Sequence, residues 1–509
     1  MSEYFGTRRF TLADQADFAE LSDDRNPMHM DPLVARRTQA GDQVVHGVHG
    51  FLWVLEMLAG DGVALDRMNS VRVQFTKFII VDRDVTLHIR SRDESMIKAE
   101  LMVDRLSAAV FILKFGSRSA ARTDEALSNL PSSDPLTQPF VPSFEEMGTL
   151  SSWLPPPHRG KDGVERLFPM LCRSLGPRTV LSLAQLSSLV GMVCPGLHSI
   201  FSNFSLAFHE SGTDRAGLGF RAVDADPRFR MVNMDVAGAN FSGSVSAFAR
   251  PGPIESPNME TIAALVAPDE FEGRTALVVG GSRGLGAATA KILAAGGANV
   301  ILTYMRGREE AEAIADEIRI FRADPASARL LSYDAGGDPE EPLASLPVIS
   351  HLYYFATPRI FLQSADAFSR IAYESFSAVY VAGFYKLVHF LTSRSDTKAL
   401  SVLYPSSVAI EERPKGMTEY AMAKAAAEIL CADLARATPG LEIATPRLPR
   451  VQTDQTATVL PVPARDATDV MLSLLRHGRL DEGVRLDPPS PDSANATLNV
   501  EKRKSASLA

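Results

Sequence analysis

Residues 278–300 read VVGGSRGLGAATAKILAAGGANV and place three glycines, Gly280, Gly284 and Gly286, between a short apolar run and a longer helical pattern. The apolar run is typical of a buried strand, and the pattern after it is typical of a helix. Glycines at such a junction let the backbone approach a pyrophosphate, whose charge is favoured by the N–H groups of a helix start. The segment predicts a strand, a phosphate-binding turn and a helix.

The chain after this turn keeps alternating short apolar runs with helical patterns. NVILTY precedes EEAEAIADEIRIF, HLYYFA precedes SFSAVYVAGFYKLVHFL, and ALSVLYPSS precedes YAMAKAAAEILCADLA. Such alternation favours a parallel sheet covered by helices on both faces. We expect an α/β, Rossmann-type doubly wound sheet over residues 268–485, and a disordered tail over 486–509 that has little to bury.

A catalytic pattern lies in the same block. Tyr420 and Lys424 stand four residues apart on one predicted helix, and Ser407 lies thirteen residues before the tyrosine. With the glycine spacing, this resembles the short-chain dehydrogenase/reductase family, in particular 3-ketoacyl reductases. The resemblance implies that Tyr420 gives a proton to a ketone and that Ser407 hydrogen-bonds its carbonyl. Lys424 would lower the pKa of the tyrosine and hold the nicotinamide ribose.

The charges near the second strand indicate the cofactor. An acid at the end of that strand favours NAD, whereas cations there favour NADP. VILTYMRGR has no acid at that end and carries Arg306 and Arg308, and Arg283 lies in the glycine-rich turn, so we expect NADP(H). The resemblance implies further cofactor contacts from Gly280, Ser282, Gly284, Leu285, Gly286, Asp334, Tyr420, Lys424 and Thr453. The chain departs from the family at Tyr380, where an Asn that supports a proton-relay water is usual.

A second group of chemical residues lies near the start of the chain, in LSDDRNPMHMD at 21–31. Asp24 and His29 are separated by a turn that Asn26 and Pro27 make rigid. One interpretation is an ordinary surface turn with an exposed histidine. The other is a carboxylate and an imidazole that converge on one water as general acid and base.

The surroundings of this turn favour the second interpretation. Ser22, Asp24, Asn26, Pro27, Met28, His29 and Ala35, with His46 and Gly47 of VVHGVHG, resemble the signature of MaoC-like (type 2 enoyl-CoA hydratase) hot-dog domains. The resemblance implies syn addition or removal of water across the α,β bond of a thioester by Asp24 and His29, oriented by Asn26. Backbone N–H groups after Gly47 would form the oxyanion site. Asp23 replaces the family's usual Gly, and we expect His46 and His49 to pack or cap the helix start.

The middle of the chain repeats part of this order. LSSLVGMVCPGLHSIFSNFSLAF, at 186–208, leads from a helical pattern into strand-like alternation, but D-x-N-P-x-H does not recur between 145 and 255. We expect a degenerate second hot-dog at 145–255, after a catalytic one at 1–125, in which Cys194 and His198 pack in the core. The predicted fold class is an α+β double hot-dog followed by the α/β sheet, with linkers at 120–148 and 249–271.

Composition and charge restrict the classes of partner that the chain is expected to bind. A net charge of −9 and the lack of a dense Lys/Arg stripe make nucleic acid an improbable partner. Three cysteines without C-x-x-C spacing indicate neither disulfides nor zinc. MSEYFGTRRF shows no signal pattern, and the sequence contains no long apolar run, so we expect a cytoplasmic protein without a membrane partner. Both families usually associate, so a homo-oligomer is expected by analogy.

These sites lead to three hypotheses. The first is a bifunctional enzyme, with an NADPH-dependent 3-oxoacyl-thioester reductase and a 3-hydroxyacyl-thioester dehydratase/hydratase, on acyl-CoA or an acyl carrier protein. In the second, only the hydratase is active, and the reductase-like block binds NADP or assists assembly. The third is a non-catalytic scaffold.

Overall fold

The computed structural model describes residues 3–119, 125–158, 160–213, 215–360, 367–394, 396–459 and 462–477. The chain divides into two compact units, Met1–Gly252 with Thr458–Leu460 and Pro253–Ala457 with Pro461–Ala509.

Long antiparallel strands and short helices make up the first unit. Its strands are β1 (Glu3–Arg9), β2 (Met68–Phe75), β3 (Asp84–Arg92), β4 (Met96–Val103), β5 (Leu106–Phe115), β6 (Ser151–Leu154), β7 (Ser199–Phe208), β8 (Leu218–Asp226), β9 (Met231–Ala237) and β10 (Phe241–Ala249). Its helices are α1 (Leu12–Ser22), α2 (Pro27–Met30), α3 (Pro32–Ala35), α4 (Gly47–Gly60), α5 (Glu125–Ser128), α6 (Phe144–Met147), α7 (Gly160–Leu167), α8 (Pro169–Leu175) and α9 (Pro177–Ser188). A π-helical turn (Leu189–Val193) extends α9, and 3-10 turns (Leu65–Arg67 and Gly196–His198) precede β2 and β7.

The ten strands form one sheet in the order β1-β3-β4-β5-β2-β7-β10-β9-β8-β6. The first five come from the N-terminal block and the last five from the middle block, so the two halves mirror each other. They join where β2 pairs antiparallel with β7, from Ser70 opposite Ala207 to Gln74 opposite Asn203. The predicted repetition is therefore confirmed, and the fold is a double hot-dog.

A central helix packs on each half of the sheet. The helix α4 is apolar nearly all round, and its residues from Val48 to Leu55 are buried, as expected of a helix enclosed by a sheet. Phe51 is fully buried, with Phe111 of β5 at 6.2 Å and Phe204 of β7 at 5.1 Å between ring centroids. Such a ring contributes about 1.5–3 kcal/mol by its burial, and its contacts with both halves make one continuous core.

The second unit contains the predicted parallel sheet. Its strands are β11 (Thr275–Val279), β12 (Asn299–Tyr304), β13 (Ala328–Ser332), β14 (His351–Tyr354), β15 (Leu400–Leu403), β16 (Ser406–Ser407), β17 (Leu441–Ala444) and β18 (Arg447–Leu448). Its helices are α10 (Met259–Ala263), α11 (Gly284–Ala295), α12 (Arg308–Arg322), α13 (Arg370–Ser377), α14 (Phe384–Ser393), α15 (Ala409–Glu412), α16 (Thr418–Ala437) and α17 (Ala467–His477), with a π-helical turn (Ala378–Gly383) before α14.

Six parallel strands lie in the order β13-β12-β11-β14-β15-β17. The order reverses beside β11, and ligands of doubly wound sheets bind at such a crevice. One core cluster contains residues of α11 and α17, and another contains residues of α14 and α16, so apolar helices cover the sheet. The predicted fold class is confirmed here as well.

The remaining expectations concern the domain limits, the C-terminal tail, the linkers and membrane-spanning helices. The domain limits 1–125, 145–255 and 268–485 stay predictions, and the tail at 486–509 lies outside the described residues. The predicted linkers are not wholly irregular, because α5 and α6 fall within 120–148 and α10 within 249–271. Among the described residues, no helix is long and apolar enough to span a bilayer.

Candidate active sites

The turn that carries Asp24 begins where α1 ends. Asp23 caps this end with φ 57° and ψ 22°, in the left-handed region, which a glycine adopts without strain and an aspartate tolerates better than most residues. This conformation explains why Gly is usual in the family that the turn resembles. The Asp23 carboxylate lies 4.0 Å from the Arg25 guanidinium, and burial raises its pKa.

Asp24 and His29 are brought together inside the protein, which excludes the exposed-turn interpretation. Asp24 is 1% exposed and His29 is 7% exposed. Nδ1 of His29 lies 2.6 Å from the carbonyl of Val44, which can only accept, so Nδ1 carries the proton. Nε2 of His29 then faces Oδ2 of Asp24 at 4.0 Å. This gap is too long for a direct hydrogen bond, but the two groups are close enough to share a single water.

His46, which the sequence predicted to pack or cap the helix start, is the N-cap residue of α4 and packs against this site. Its ring stacks on His29 with centroids 3.8 Å apart and planes at 26°, and its Nε2 lies 3.1 Å from the backbone oxygen of Asp24. Gln15 Oε1 lies 2.9 Å from Nδ1 of His46. Burial lowers the pKa of His46 well below its ordinary value, so the neutral ring donates to only one of these two acceptors.

The ligand atoms of Asp24, His29 and His46 lie within 4.8 Å of one another, as a metal site would require. Imidazole nitrogens bind metals through lone pairs in the ring plane. Because the two stacked rings are nearly parallel, their lone pairs do not converge on one point. The geometry therefore suits a water between Asp24 and His29 better than a metal ion.

The second hot-dog half completes the site, a contribution that sequence reasoning missed. Ser187, near the end of α9, donates a hydrogen bond of 2.6 Å to Oδ2 of Asp24. Asn26 Nδ2 donates to the carbonyl of Gly191 at 2.7 Å. A Cβ at Gly191 would lie 2.4–2.8 Å from the carboxylate atoms of Asp24, so only a glycine leaves room for this carboxylate. No motif marks Ser187 or Gly191 in the sequence.

Burial controls the charge of Asp24. Desolvation raises its pKa above the ordinary value, although His29 and the hydrogen bonds from Ser187 and the Asn26 backbone act in the opposite direction. Two donors are thus aimed at a carboxylate that the protein interior disfavours as an anion. A raised pKa is typical of a carboxyl group used in proton transfer.

Gly47 lies at the start of α4, where the sequence places the oxyanion site. Among the described residues, no side chain caps this helix start, and its positive dipole end favours negative charge. The Phe75 ring would lie within 2.9–3.3 Å of a Cβ at Gly47. His49 packs as expected, stacked on Phe18 at 4.6 Å, and burial lowers its pKa to about 3.

In the second unit, the glycine-rich turn follows β11 and opens α11. Gly280 has φ 80°, and its N–H donates to the Thr303 hydroxyl of β12 at 3.2 Å. A Cβ at Gly286 would lie 2.1 Å from the Gly280 carbonyl, so the helix approaches the turn as closely as backbone allows. This tight turn with a helix start behind it fits the pyrophosphate of a dinucleotide.

The remaining predicted cofactor residues surround this turn. Thr453 lies beside Gly284, since a Cβ there would be 3.6 Å from its methyl group. Arg283 lies 3.9 Å from the buried carboxylate of Asp454. Arg306 is exposed beyond the end of β12, and Asp334 is exposed beyond β13, where its carboxylate accepts from the Gly336 N–H at 2.9 Å. Ser282 in the turn and Leu285 in the first turn of α11 are half-buried.

Tyr420 and Lys424 lie on α16, and Ser407 lies on β16 beside them. The Ser407 side chain hydrogen-bonds Tyr420, so the structure brings the predicted pair together. Burial raises the pKa of Tyr420, against which the Ser407 hydrogen bond acts. Burial also lowers the pKa of Lys424 to about 7. The lowering of the Tyr420 pKa by the Lys424 ammonium stays a prediction, because burial and Ser407 are the causes that act on Tyr420 in this structure.

Comparison with known proteins identifies the two domains in which these sites lie. Residues 4–108 match the MaoC like domain family and residues 274–341 match the short chain dehydrogenase family. The chain joins a MaoC-like domain to a short-chain dehydrogenase domain. The family matches include Asp24, His29 and the glycine-rich turn, but end before Ser187 and Tyr420.

The curated relatives resemble only part of the second domain. Versicolorin reductase stcU from Emericella nidulans is 44% identical over 57 residues, and short chain dehydrogenase mdpC from the same organism is 45% identical over 58 residues. Each match covers 11% of this chain and 22% of the relative, so the chain spans about a fifth of the length of these proteins.

Solved structures of short-chain dehydrogenases also resemble this domain. One from Burkholderia cenocepacia J2315 in complex with NADP is 23% identical, covering 40% of this chain and 91% of its own, with a TM-score of 0.35. The 3-oxoacyl (acyl-carrier-protein) reductase from Agrobacterium tumefaciens C58 with NADP bound is 26% identical, covering 36% of this chain and 73% of its own, with a TM-score of 0.32.

Proposed function

We propose that the chain is a bifunctional enzyme that reduces a 3-oxoacyl thioester with NADPH and dehydrates the 3-hydroxyacyl product, or hydrates the corresponding enoyl thioester. The observation that carries the proposal is the buried gap of 4.0 Å between Asp24 Oδ2 and His29 Nε2. A water or a substrate hydroxyl in this gap meets a carboxylate and an imidazole at once. Such a pair exchanges both protons that a dehydration moves.

In the dehydratase, the pair removes the α proton and protonates the departing hydroxyl. Ser187 and Asn26 hold the Asp24 carboxyl, and Val44 fixes the His29 tautomer. The thioester oxygen gains negative charge when the α proton leaves. The backbone N–H groups at the start of α4, beside Gly47, stabilise that charge.

In the reductase, NADPH supplies the hydride when it is bound. The glycine-rich turn from Gly280 to Gly286 holds its pyrophosphate, with Ser282, Leu285, Asp334 and Thr453 as further contacts. Arg306, beyond the end of β12, and Arg283, in the turn beside Asp454, provide the positive charge that a 2′-phosphate requires. Tyr420 donates the proton that the carbonyl oxygen needs, Ser407 orients that oxygen, and Lys424 holds the ribose.

The two reactions form a sequence. Reduction of a 3-oxoacyl thioester gives the 3-hydroxyacyl thioester that the first domain dehydrates, and one chain raises the local concentration of this shared intermediate. The carrier in this proposal is acyl-CoA or an acyl carrier protein. We further propose the domain limits 1–125, 145–255 and 268–485, and a homo-oligomeric assembly.

A second candidate keeps only the hydratase active, with the reductase-like domain binding NADP without turnover. The observation that favours it is Tyr380, which is 1% exposed and occupies the position where the family usually has its relay Asn.

One experiment distinguishes these candidates. The full chain is incubated with a short 3-oxoacyl-CoA and NADPH, while the cofactor and the enoyl thioester are followed together. We expect NADPH loss and then enoyl formation, with Tyr420→Phe abolishing the first step and Asp24→Asn the second. Constant NADPH together with hydration of added crotonyl-CoA would leave the hydratase alone active. Failure of both reactions in the wild-type chain would refute the proposal.

A further inference from the structure

The environment of Lys424 in the reductase domain differs from what the family motif implies. Lys424 is 6% exposed, and its Nζ donates to the carbonyl of Pro405 at 2.7 Å. An ammonium has three N–H donors, and two aromatic faces lie beside this one. Its Nζ is 4.0 Å from the ring centroid of Tyr380 and 4.7 Å from that of Tyr404, both within the range of a cation–π contact.

Both rings are fixed in place. The Tyr380 hydroxyl hydrogen-bonds the Thr357 hydroxyl, and its ring stacks on Phe376 with centroids 5.8 Å apart. The Tyr404 hydroxyl donates to the backbone oxygen of Tyr380 at 3.1 Å, which ties the second ring to the π-helical turn that carries the first. Each ring therefore presents its face to Lys424 without rotamer freedom that would weaken the contact.

We propose that Tyr380 and Tyr404 form an aromatic cage that positions the Lys424 ammonium and keeps it charged, in the place of the relay that an Asn supports. Both tyrosines are positioning residues, since they act through Lys424. The effect of the cage on catalysis rests on the proposed reductase function. The contacts that form the cage do not depend on that function. Tyr380, on this account, is a replacement that maintains a working lysine and not a sign of lost activity.

The charge balance around Lys424 supports this role. Burial lowers the pKa of Lys424 to about 7, and Cys431 and Glu428 act against this shift. A ring face favours the charged ammonium and so opposes burial. The groups that face Lys424 are Tyr420, Glu428 and Cys431 on its own helix, Tyr380 on the π-helical turn, and Tyr404 with the Pro405 carbonyl after β15. The Glu428 carboxylate is engaged by Arg447 and Ser406, so it is not a dedicated partner for the ammonium.

The test is a ¹³C NMR titration of the full chain labelled at lysine Cε, with the Lys424 signal assigned by its loss in Lys424→Arg. Tyr380→Phe keeps the ring face and should leave the Lys424 midpoint in place. Tyr380→Leu removes the face and should lower the midpoint by about one pH unit, the size expected for a cation–π contact in a desolvated site. Tyr385→Leu, at an exposed residue of α14, is the matched control.

A second variant protects the test against misfolding of Tyr380→Leu. Pentafluorophenylalanine at position 380 nearly keeps the ring shape but reverses the charge of its face, so it should also lower the midpoint. Wild-type midpoints in both face-removing variants would overturn the cage. Failure of the wild-type chain to oxidise NADPH with any 3-oxoacyl thioester would refute the reductase function separately, and the titration would still decide the cage.

Discussion

Replacement of Ser187 by alanine tests whether the second hot-dog half takes part in the proposed hydratase reaction. The Ser187 hydroxyl is 2.6 Å from Oδ2 of Asp24, and both residues are buried. A hydrogen bond to a charged group contributes about 1.5–3 kcal/mol, and one pKa unit corresponds to about 1.4 kcal/mol. Because the bond favours the anion, its loss should raise the pKa of Asp24 by about one to two units.

The assay is the pH dependence of kcat/KM for hydration of a short enoyl-CoA, followed by loss of the conjugated thioester absorbance. In the proposed hydration, Asp24 acts as the anion that accepts a proton from water, so the acidic limb of the profile should move to higher pH by the same one to two units. Ser187→Thr keeps a hydroxyl and should restore most of the wild-type profile.

Ser188→Ala is the matched control, because Ser188 donates to the Gln185 carbonyl at 3.1 Å and makes no hydrogen bond to Asp24 in the described structure. Its profile should superimpose on that of the wild type. An unchanged acidic limb in a folded Ser187→Ala variant would refute the view that Ser187 sets the charge of Asp24.

Further perturbations test the remaining parts of the two sites. Gly191→Ala places a methyl group within 2.4–2.8 Å of the Asp24 carboxylate and should lower the rate of hydration at least about tenfold. The control is Gly60→Ala, where the space is open and the rate should not fall. Equal rates in the two variants would contradict this expectation. Asp24→Asn should raise the free energy of unfolding at pH 8 in urea titrations. Burial raises the folded pKa of Asp24 above 3.8, so ionised Asp24 destabilises the folded state once the pH rises above the unfolded pKa. The stability gained by Asp24→Asn should therefore vanish below about pH 4, where the carboxyl is protonated in both states. Asp23→Gly relieves a left-handed residue and should add up to about 1 kcal/mol of stability without loss of hydration; a destabilised variant would show that the Asp23 side chain is needed. Arg306→Ala should raise the KM for NADPH about tenfold or more while the KM for NADH stays constant, and parallel changes in both would remove Arg306 from the 2′-phosphate site.

The sequence predicted the features that depend on residues close to one another along the chain. Alternating strands and helices after Gly280 predicted the parallel sheet, and the turn from Asp24 to His29 predicted a convergent pair because only five positions separate them. The repeat in the middle block was also predicted, from its helix-to-strand order. Each of these features depends on neighbours along the chain, where periodicity and turn chemistry are informative.

Contacts across the seam between β2 and β7 were not predictable from one sequence. Ser187 is 163 positions from Asp24, and serine is common enough near a helix end that nothing distinguishes it from Ser188. Likewise, the sequence showed Tyr380 as a departure from the family, but not that its face meets Lys424. Such pairings arise from tertiary packing, which assigns a role to a residue whose type alone indicates none.

The loss of the D-x-N-P-x-H motif from the second half therefore does not make that half a passive support. A carboxylate buried as deeply as Asp24 is costly unless donors reach it, and the turn that carries it supplies only the Asn26 backbone N–H to its oxygens. The second donor and the space for the carboxylate come from Ser187 and Gly191. The second half needs no acid–base pair of its own for this site. It does need the Ser187 hydroxyl, and position 191 has to remain a glycine. Residues near the end of α9 should consequently tolerate less change than their lack of a motif suggests.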